Sequence, residues 1–262
     1  MDEGIADLTD DGAIVPVLEA QRRWAAYALC DLEPPHRRYA RYIGAVRDGR
    51  AEAVVLVYTP PRFTSLLPSG SEEGVQAILA RAPDLPPKPF LVVRRLDLPA
   101  IEARYRVDEK WTMLRMAVST SELRPAPVRD GTLRPLAADD LPAVQALYAV
   151  WPETVFTPFM FAHGIYHGAY VDDRLVAVAG THAFSPRHGI GVIGNVFAHP
   201  DYRARGLGRA VTGTVAAVLV ERGVRDIVLN VREDNRPAIA AYTRLGFGVH
   251  EPFWEGHAAL RE

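Results

Sequence analysis

Lysine is nearly absent from this chain: of its 30 basic residues, only Lys88 and Lys110 are lysines. Arginine carries the positive charge. With 32 acidic residues and a formal net charge of -2 there is no global basic surplus, so nucleic acid is not an expected partner. Cysteine is scarcer still. Cys30 alone cannot close an intrachain disulfide, which excludes a disulfide-built scaffold and fits a reducing compartment. Set in RRWAAYALCDL, it reads as a small core residue. Long hydrophobic runs are missing too. The longest uncharged apolar stretch, AVTGTVAAVLV, is 11 residues, too short to cross a bilayer. The opening MDEGIADLTDDG is acidic and lacks the apolar segment of a signal peptide. A cytoplasmic protein without membrane contact is expected. No G-x-x-x-x-G-K-[ST] loop occurs, and no close His/Cys/Asp cluster has ligand spacing, so no metal is expected.

What is present is a globular chain of 262 residues, 48% of them apolar, enough for one large domain or two small ones. In the first half, AIVPVLEAQRRWAAYALCDL has helical spacing, YIGAV and EAVVLVY flank a turn, and Ser71 opens the helix SEEGVQAILARA. PFLVVRR and WTMLRMAVS read as strands around the short helix LPAIEARY. The stretch ELRPAPVRDG breaks the pattern, which sets expected domains at 1–125 and 130–262. The second half reads β-α-α-ββ-β-α-β-α-β, an α/β arrangement around one mixed sheet. Leu207, Val211, Val215, Val218 and Leu219 share one face of its long helix. The halves echo each other: each has a hairpin over a D-[GD]-R turn, and Pro99-Ala100-Ile101 parallels Pro237-Ala238-Ile239. This points to a duplicated domain.

Two glycine patterns compete for a phosphate. Gly189-Ile-Gly191-Val-Ile-Gly194 has the letters of a dinucleotide fingerprint, but a turn precedes it and an extended run follows, so no helix N-terminus receives a pyrophosphate. Arg203-Ala-Arg-Gly206-Leu-Gly208 has the right context. A strand precedes it, a helix follows, and its glycines let backbone approach a ligand. Arg203, Arg205 and Arg209 add positive charge.

About 30 residues on stands Asn235-Arg-Pro-Ala238-Ile-Ala-Ala-Tyr242-Thr-Arg-Leu-Gly246-Phe247. With this second motif the chain resembles the GNAT superfamily of N-acetyltransferases over roughly residues 130 to 255. More loosely, the whole chain resembles the two-lobed members similar to glycine N-acyltransferases. The resemblance implies a mixed, mostly antiparallel sheet flanked by helices, with a degenerate GNAT-like first lobe. It implies acetyl-CoA or another acyl-CoA as co-substrate and a primary amine as acceptor. The pantetheine arm would run beside Val196, Phe197 and Ala198. The pyrophosphate would lie on Ala204, Arg205, Gly206, Leu207, Gly208 and Arg209, with Arg203 also counted among the cofactor-binding residues. Asn235 would hydrogen-bond the cofactor, and Tyr242 would occupy the general-acid position.

The general base is not carried over. Some relatives have a Glu five residues before the Asn, and here that residue is Asn230, an amide that cannot take a proton. His182 is the leading candidate, with Glu153, His163, His167 or an ordered water as alternatives. Glu153, Asn195 and Asn230 are expected to line the acceptor pocket, with Trp254 and Glu255 as another possible wall. The aromatic stretch WPETVFTPFMFAHGIYHG reads mainly as core packing. The competing function is a non-catalytic CoA-binding or sensing protein.

Overall fold

A computed structural model describes residues 3–124, 126–128, 131–150 and 154–261. The first half of the chain forms β1 (Glu3–Leu8), α1 (Asp11–Glu19), α2 (Ala26–Cys30), β2 (Ala40–Arg47), β3 (Arg50–Tyr58), β4 (Ser65–Gly70), α3 (Glu72–Arg81), β5 (Phe90–Arg94), α4 (Leu98–Arg104) and β6 (Tyr105–Ser119). The second half forms β7 (Thr132–Pro135), α5 (Leu141–Tyr148), α6 (Pro158–His163), β8 (Tyr166–Val171), β9 (Arg174–Ser185), β10 (Ile190–Ala198), α7 (Leu207–Glu221), β11 (Asp226–Arg232), α8 (Arg236–Arg244) and β12 (Gly248–Leu260). Short 3-10 turns aside, the two series are the same: β-α-α-β-β-β-α-β-α-β. The faint echo in the sequence is a full repeat of topology.

The chain divides into two compact units, Met1–Arg115 with His250–Glu262, and Met116–Val249. This differs from the expected spans 1–125 and 130–262. The reason lies in strand pairing. β12 closes the second series but pairs antiparallel with β5, Phe253 opposite Arg94, and so belongs to the first unit. The end of β6, which closes the first series, neighbours β11 in the second unit. Backbone hydrogen bonds, not chain order, decide which unit a strand joins.

Two more details depart from the sequence reading. β1 and β4 were not expected as strands; β4 is short and carries Pro68. The single helix expected from Ala13 onward breaks into α1 and α2, and the residues between them, Gln21 and Trp24, bond to β4. The Trp24 indole donates to the Pro68 carbonyl at 2.7 Å, and the Gln21 amide donates to Gly70 O at 3.1 Å and accepts from Gly70 N at 3.1 Å.

In the second unit the strand order is β6-β11-β10-β9-β8-β7. The pairs β7–β8, β8–β9 and β9–β10 are antiparallel, and β10–β11 is parallel. α7 lies over β8, β9 and β10. Val218 of its predicted stripe is only half-buried, while the other four, Leu207, Val211, Val215 and Leu219, are buried. Each contributes about 1.5–3 kcal/mol on leaving water, which fixes the helix's rotation. One cluster combines Val144, Leu147 and Tyr148 of α5 with Phe161, Tyr166, Val178 and Phe197.

Candidate active site

The site begins where two strands part. β10 and β11 pair in parallel from Ile190 opposite Asp226 to Ile193 opposite Leu229, and there the pairing stops. At this point β10 bulges: Gly194 lies opposite Gly180 and Phe197 opposite Val178, so β10 holds one extra residue. Asn195 takes the left-handed backbone, φ 52°, that the bulge requires, a region asparagine tolerates better than most residues. Beyond it, Phe197 and Ala198 keep their pairing with β9, and Val196, Phe197 and Ala198 have no β11 pairing on the other side. An open strand edge of this kind is suited to pairing with an extended, amide-bearing ligand.

The bulge is fastened from several sides. The Tyr148 hydroxyl donates to the Asn195 carbonyl. The Asn195 side-chain nitrogen donates to the Tyr166 hydroxyl at 2.8 Å. His182, on β9, is hydrogen-bonded to the Asn195 side chain. Its ring crosses Gly194 so closely that a Cβ there would sit 2.2 Å from Nε2. Desolvation lowers the His182 pKa, with the Asn195 bond opposing it, so the imidazole is neutral at pH 7. Burial raises the Tyr166 hydroxyl's pKa, against the smaller effect of Asn195.

The other expected pocket residues are placed as follows. Asn230 follows the last paired residue of β11 and is half-buried. Glu153 lies outside the described residues. His163 ends α6 with its ring 4.7 Å from Phe159. His167 is buried on β8, its Nδ1 has no hydrogen-bond partner, and desolvation lowers its pKa. The aromatic stretch is core: Phe156 stacks on Tyr148 at 4.6 Å, and Phe161 meets Tyr166 at 5.0 Å. Trp254 and Glu255 belong to the first unit, where the Lys110 ammonium lies 4.8 Å from the Trp254 ring.

After β10 the chain turns into α7. Ala204 (φ 62°) and Gly206 (φ 79°) are both left-handed. Gly206 is the N-cap and supplies no side-chain hydrogen bond, so the first-turn N–H groups lack a cap. A Cβ at Gly208 would meet nothing within 4 Å, and one at Gly206 only an Arg209 nitrogen at 3.9 Å. Arg209 is half-buried, and its Nε is buried without a hydrogen-bond partner. Open space, uncapped amides and an orphaned guanidinium nitrogen together fit an anionic ligand such as a pyrophosphate. Arg203 ties the loop back: its Nε donates to the Ala198 carbonyl at 3.3 Å, and its guanidinium lies 6.0 Å from the Phe197 ring. Arg205 is exposed, 5.0 Å from the Tyr202 ring.

Asn235 caps α8 by accepting from Ala238 N at 3.2 Å. Two turns on, Tyr242 is buried with its ring 6.2 Å from Phe247. Desolvation raises its pKa, so the hydroxyl keeps its proton through the neutral range. The rejected fingerprint has purely internal reasons for its glycines. Gly189 has φ 63°, Gly191 lies under Leu219, and Gly194 lies under His182.

The corresponding place in the first unit is built differently. β4 and β5 also pair in parallel only briefly, Ser65–Leu66 with Phe90–Leu91. The backbone of β4 beyond this is engaged by Trp24, Gln21 and the Arg94 guanidinium, which donates to Gly70 O at 3.0 Å. The Ser71 hydroxyl caps α3 at Gly74 N, and Glu72 and Glu73 fill its first turn. A capped, acidic helix start repels a phosphate.

Residues 133–247 match the family model described as Acetyltransferase (GNAT) family. A mycothiol acetyltransferase of Tsukamurella paurometabola is 32% identical over 177 residues, 58% of this chain and 61% of the relative. Other mycothiol acetyltransferases match over 21% and 17% of their length, so the chain spans less than two thirds of the length of these curated relatives. The [ribosomal protein bS18]-alanine N-acetyltransferase of Escherichia coli is 45% identical over 53 residues, 20% of this chain and 36% of that protein. Among solved structures, a GCN5-related N-acetyltransferase from Kribbella flavida superposes with a TM-score of 0.63, 19% identity, and coverage of 92% of this chain and 98% of that one. This likeness shows the fold: a mixed α/β chain of the GNAT type with a mostly antiparallel sheet.

Proposed function

We propose that this chain is an N-acyltransferase that moves an acyl group, acetyl in the simplest case, from the thioester of CoA to a primary amine, with the chemistry confined to the second unit. One observation carries the reading: the uncapped start of α7, open over Gly206 and Gly208 and flanked by the orphaned Arg209 Nε, follows directly from the free edge of β10. A phosphate-bearing ligand with an extended amide arm fits both. In this reading the arm pairs with Val196, Phe197 and Ala198, and the pyrophosphate takes the N–H groups of Leu207, Gly208 and Arg209 with the Arg205 and Arg209 side chains. The first unit is the degenerate lobe of a two-lobed arrangement, supported by the repeated element order and by the plugged edge of β4. On this reading the protein works in the cytoplasm, in keeping with its single cysteine.

The chemistry is direct attack. The amine nitrogen bonds to the thioester carbon, and the C–S bond then breaks. The amine proton passes to neutral His182, and the departing sulfur takes a proton from Tyr242. Asn235 orients the cofactor from the start of α8. Asn230 serves the acceptor side at the end of the β10–β11 pairing, and Asn195 does so from the β10 bulge.

The test is release of free CoA thiol from acetyl-CoA in the presence of an amine panel. The panel includes the acceptor of mycothiol acetyltransferase and a peptide with N-terminal alanine. Amine-dependent release that is lost in His182→Gln supports the reading. Acetyl-CoA binding by calorimetry without release for any amine would favour a CoA-binding sensor instead.

A further inference from the structure

We infer that Tyr148 is a positioning residue that sets the open edge of β10 by holding the Asn195 carbonyl. The inference rests on the acyltransferase reading, because its consequence is how that edge receives the arm of CoA. The contact has only one possible sense: a backbone carbonyl accepts, so the Tyr148 hydroxyl donates. Asn195 is the bulge residue itself, at φ 52°. A peptide unit is planar and trans, so a carbonyl held toward Tyr148 aims the Val196 N–H the opposite way. One hydroxyl from α5 thereby sets the peptide plane at the point where the open edge, residues 196–198, begins.

Tyr148 is itself well anchored. It is the last residue of α5, 3% exposed, and shares a cluster with Val144 and Leu147. Its ring stacks on Phe156 at 4.6 Å and lies 6.1 Å from the ring of Phe197, a residue of the edge. At the far end of the edge the Arg203 Nε donates to the Ala198 carbonyl at 3.3 Å. Groups outside the sheet therefore fasten the edge at both ends. An extended arm pairs with such an edge through main-chain hydrogen bonds, so a rotated plane at its start misplaces the partners the arm needs. It also misplaces the thioester that the arm carries, and reaction rates fall steeply with such displacement.

Tyr148→Phe keeps the ring and removes only the donor. The experiment compares two ligands of the full chain by calorimetry: CoA, and the phosphorylated ADP half of CoA, which lacks the arm. Both use the cradle at α7, so the ratio of their affinities reads the edge alone. In Tyr148→Phe the ratio should fall about 3- to 10-fold, the range of one net hydrogen bond, while the armless half binds as before. The carbonyl carbon resonance of Asn195 should move as its hydrogen bond is lost. The kcat with an accepted amine should fall roughly 10- to 100-fold. A tyrosine that served only the core would lower the melting temperature and leave the ratio alone. An unchanged ratio in Tyr148→Phe would overturn the inference, and so would an unmoved resonance. If Tyr148→Phe does not fold, a fluorinated tyrosine placed at 148 alone takes its role. Its more acidic hydroxyl donates more strongly, so the Asn195 resonance should still move, and an unmoved one overturns the inference. A native chain that binds CoA but acylates no amine counts against the acyltransferase reading, while the affinity ratio still decides the role of Tyr148.

Discussion

His182 and Gly194 are made for each other: a Cβ built on Gly194 would lie 2.2 Å from Nε2 of His182 and 2.4 Å from two ring carbons. The glycine is what lets a β9 side chain cross β10 at the point where β10 leaves β11. Gly194→Ala should therefore push the imidazole aside. The expected cost is about 1–3 kcal/mol of stability from overpacking. Turnover should fall much further than acetyl-CoA affinity, because the phosphate cradle over Gly206 and Gly208 is untouched. Melting temperature, calorimetry with acetyl-CoA and steady-state rates check the three parts. A Gly194→Ala protein with native turnover would remove His182 from the chemistry.

Gly194 also shows what the sequence could and could not reveal. The letters G-x-G-x-x-G were visible, and their wrong context excluded a dinucleotide site. Their true causes, a crossing imidazole and a packed Leu219, involve residues 12 and 28 positions away and had no local signal. The α7 cradle was legible because all its parts are consecutive: strand, turn, two glycines and helix. Tyr242 and Asn235 were legible as one spaced motif on a helix. Tyr148 and Tyr166 were missed. Each is an ordinary core aromatic in sequence, and only the bulge brings their hydroxyls to one residue, Tyr148 to the Asn195 backbone carbonyl and Tyr166 to its side chain. The exchange of closing strands between the two series was hidden for the same reason, since pairing partners are distant in the chain.

The two cradle glycines should separate on mutation. Gly206 holds φ 79°, so Gly206→Val strains the backbone by roughly 1–3 kcal/mol as well as filling the site. Gly208 has ordinary helical backbone, and a Cβ there meets no protein atom within 4 Å, so Gly208→Val fills open space next to the helix start. Its melting temperature should stay near the native value while acetyl-CoA binding, read by calorimetry, is lost. Retained affinity in Gly208→Val would mean that the phosphate lies elsewhere.

Arg209 and Arg205 should also separate. The Arg209 Nε is buried without a partner, whereas Arg205 is exposed over Tyr202. A charge-assisted hydrogen bond contributes about 1.5–3 kcal/mol, so Arg209→Met should raise the acetyl-CoA Kd roughly 10-fold or more at fixed salt. Arg205→Ala should cost less and respond more strongly to ionic strength, as an exposed contact does. The reverse ranking would show that the buried guanidinium serves packing rather than ligand.

The pH dependence follows from the direction of two shifts. Burial lowers His182 below the ordinary 6.5, so the neutral base persists to lower pH than a free histidine. Activity with a fixed amine should therefore lose its enzyme-derived acid limb at a midpoint below 6.5. The stability contribution of neutral His182 is full above 6.5 and is lost as pH falls from there toward the folded value, because the unfolded chain takes the proton first. Tyr242 is raised above its ordinary 10.0, so it imposes no alkaline loss below pH 10. A second limb that moves when the amine is changed belongs to the acceptor. An acid limb unchanged in His182→Gln would identify another base.

Tyr242 offers the cleanest separation of chemistry from binding. Tyr242→Phe keeps the ring against Phe247 and removes only the proton donor. The residue is 7% exposed, so packing should carry the fold unchanged, and melting temperature and acetyl-CoA affinity should move little. If the hydroxyl protonates the departing sulfur, turnover should fall by roughly 100-fold or more, the usual scale of a general acid. The loss should appear in kcat rather than KM, as for an interaction made only in the transition state. Slow product release would conceal part of it, so the measurement is a single turnover with preloaded acetyl-CoA and an accepted amine. An amine whose acylation produces a better leaving environment does not help here, because the departing group is always CoA thiolate; the variable left to the protein is the donor beside it. Native single-turnover rates in Tyr242→Phe would assign that proton to solvent and leave Tyr242 as a core aromatic.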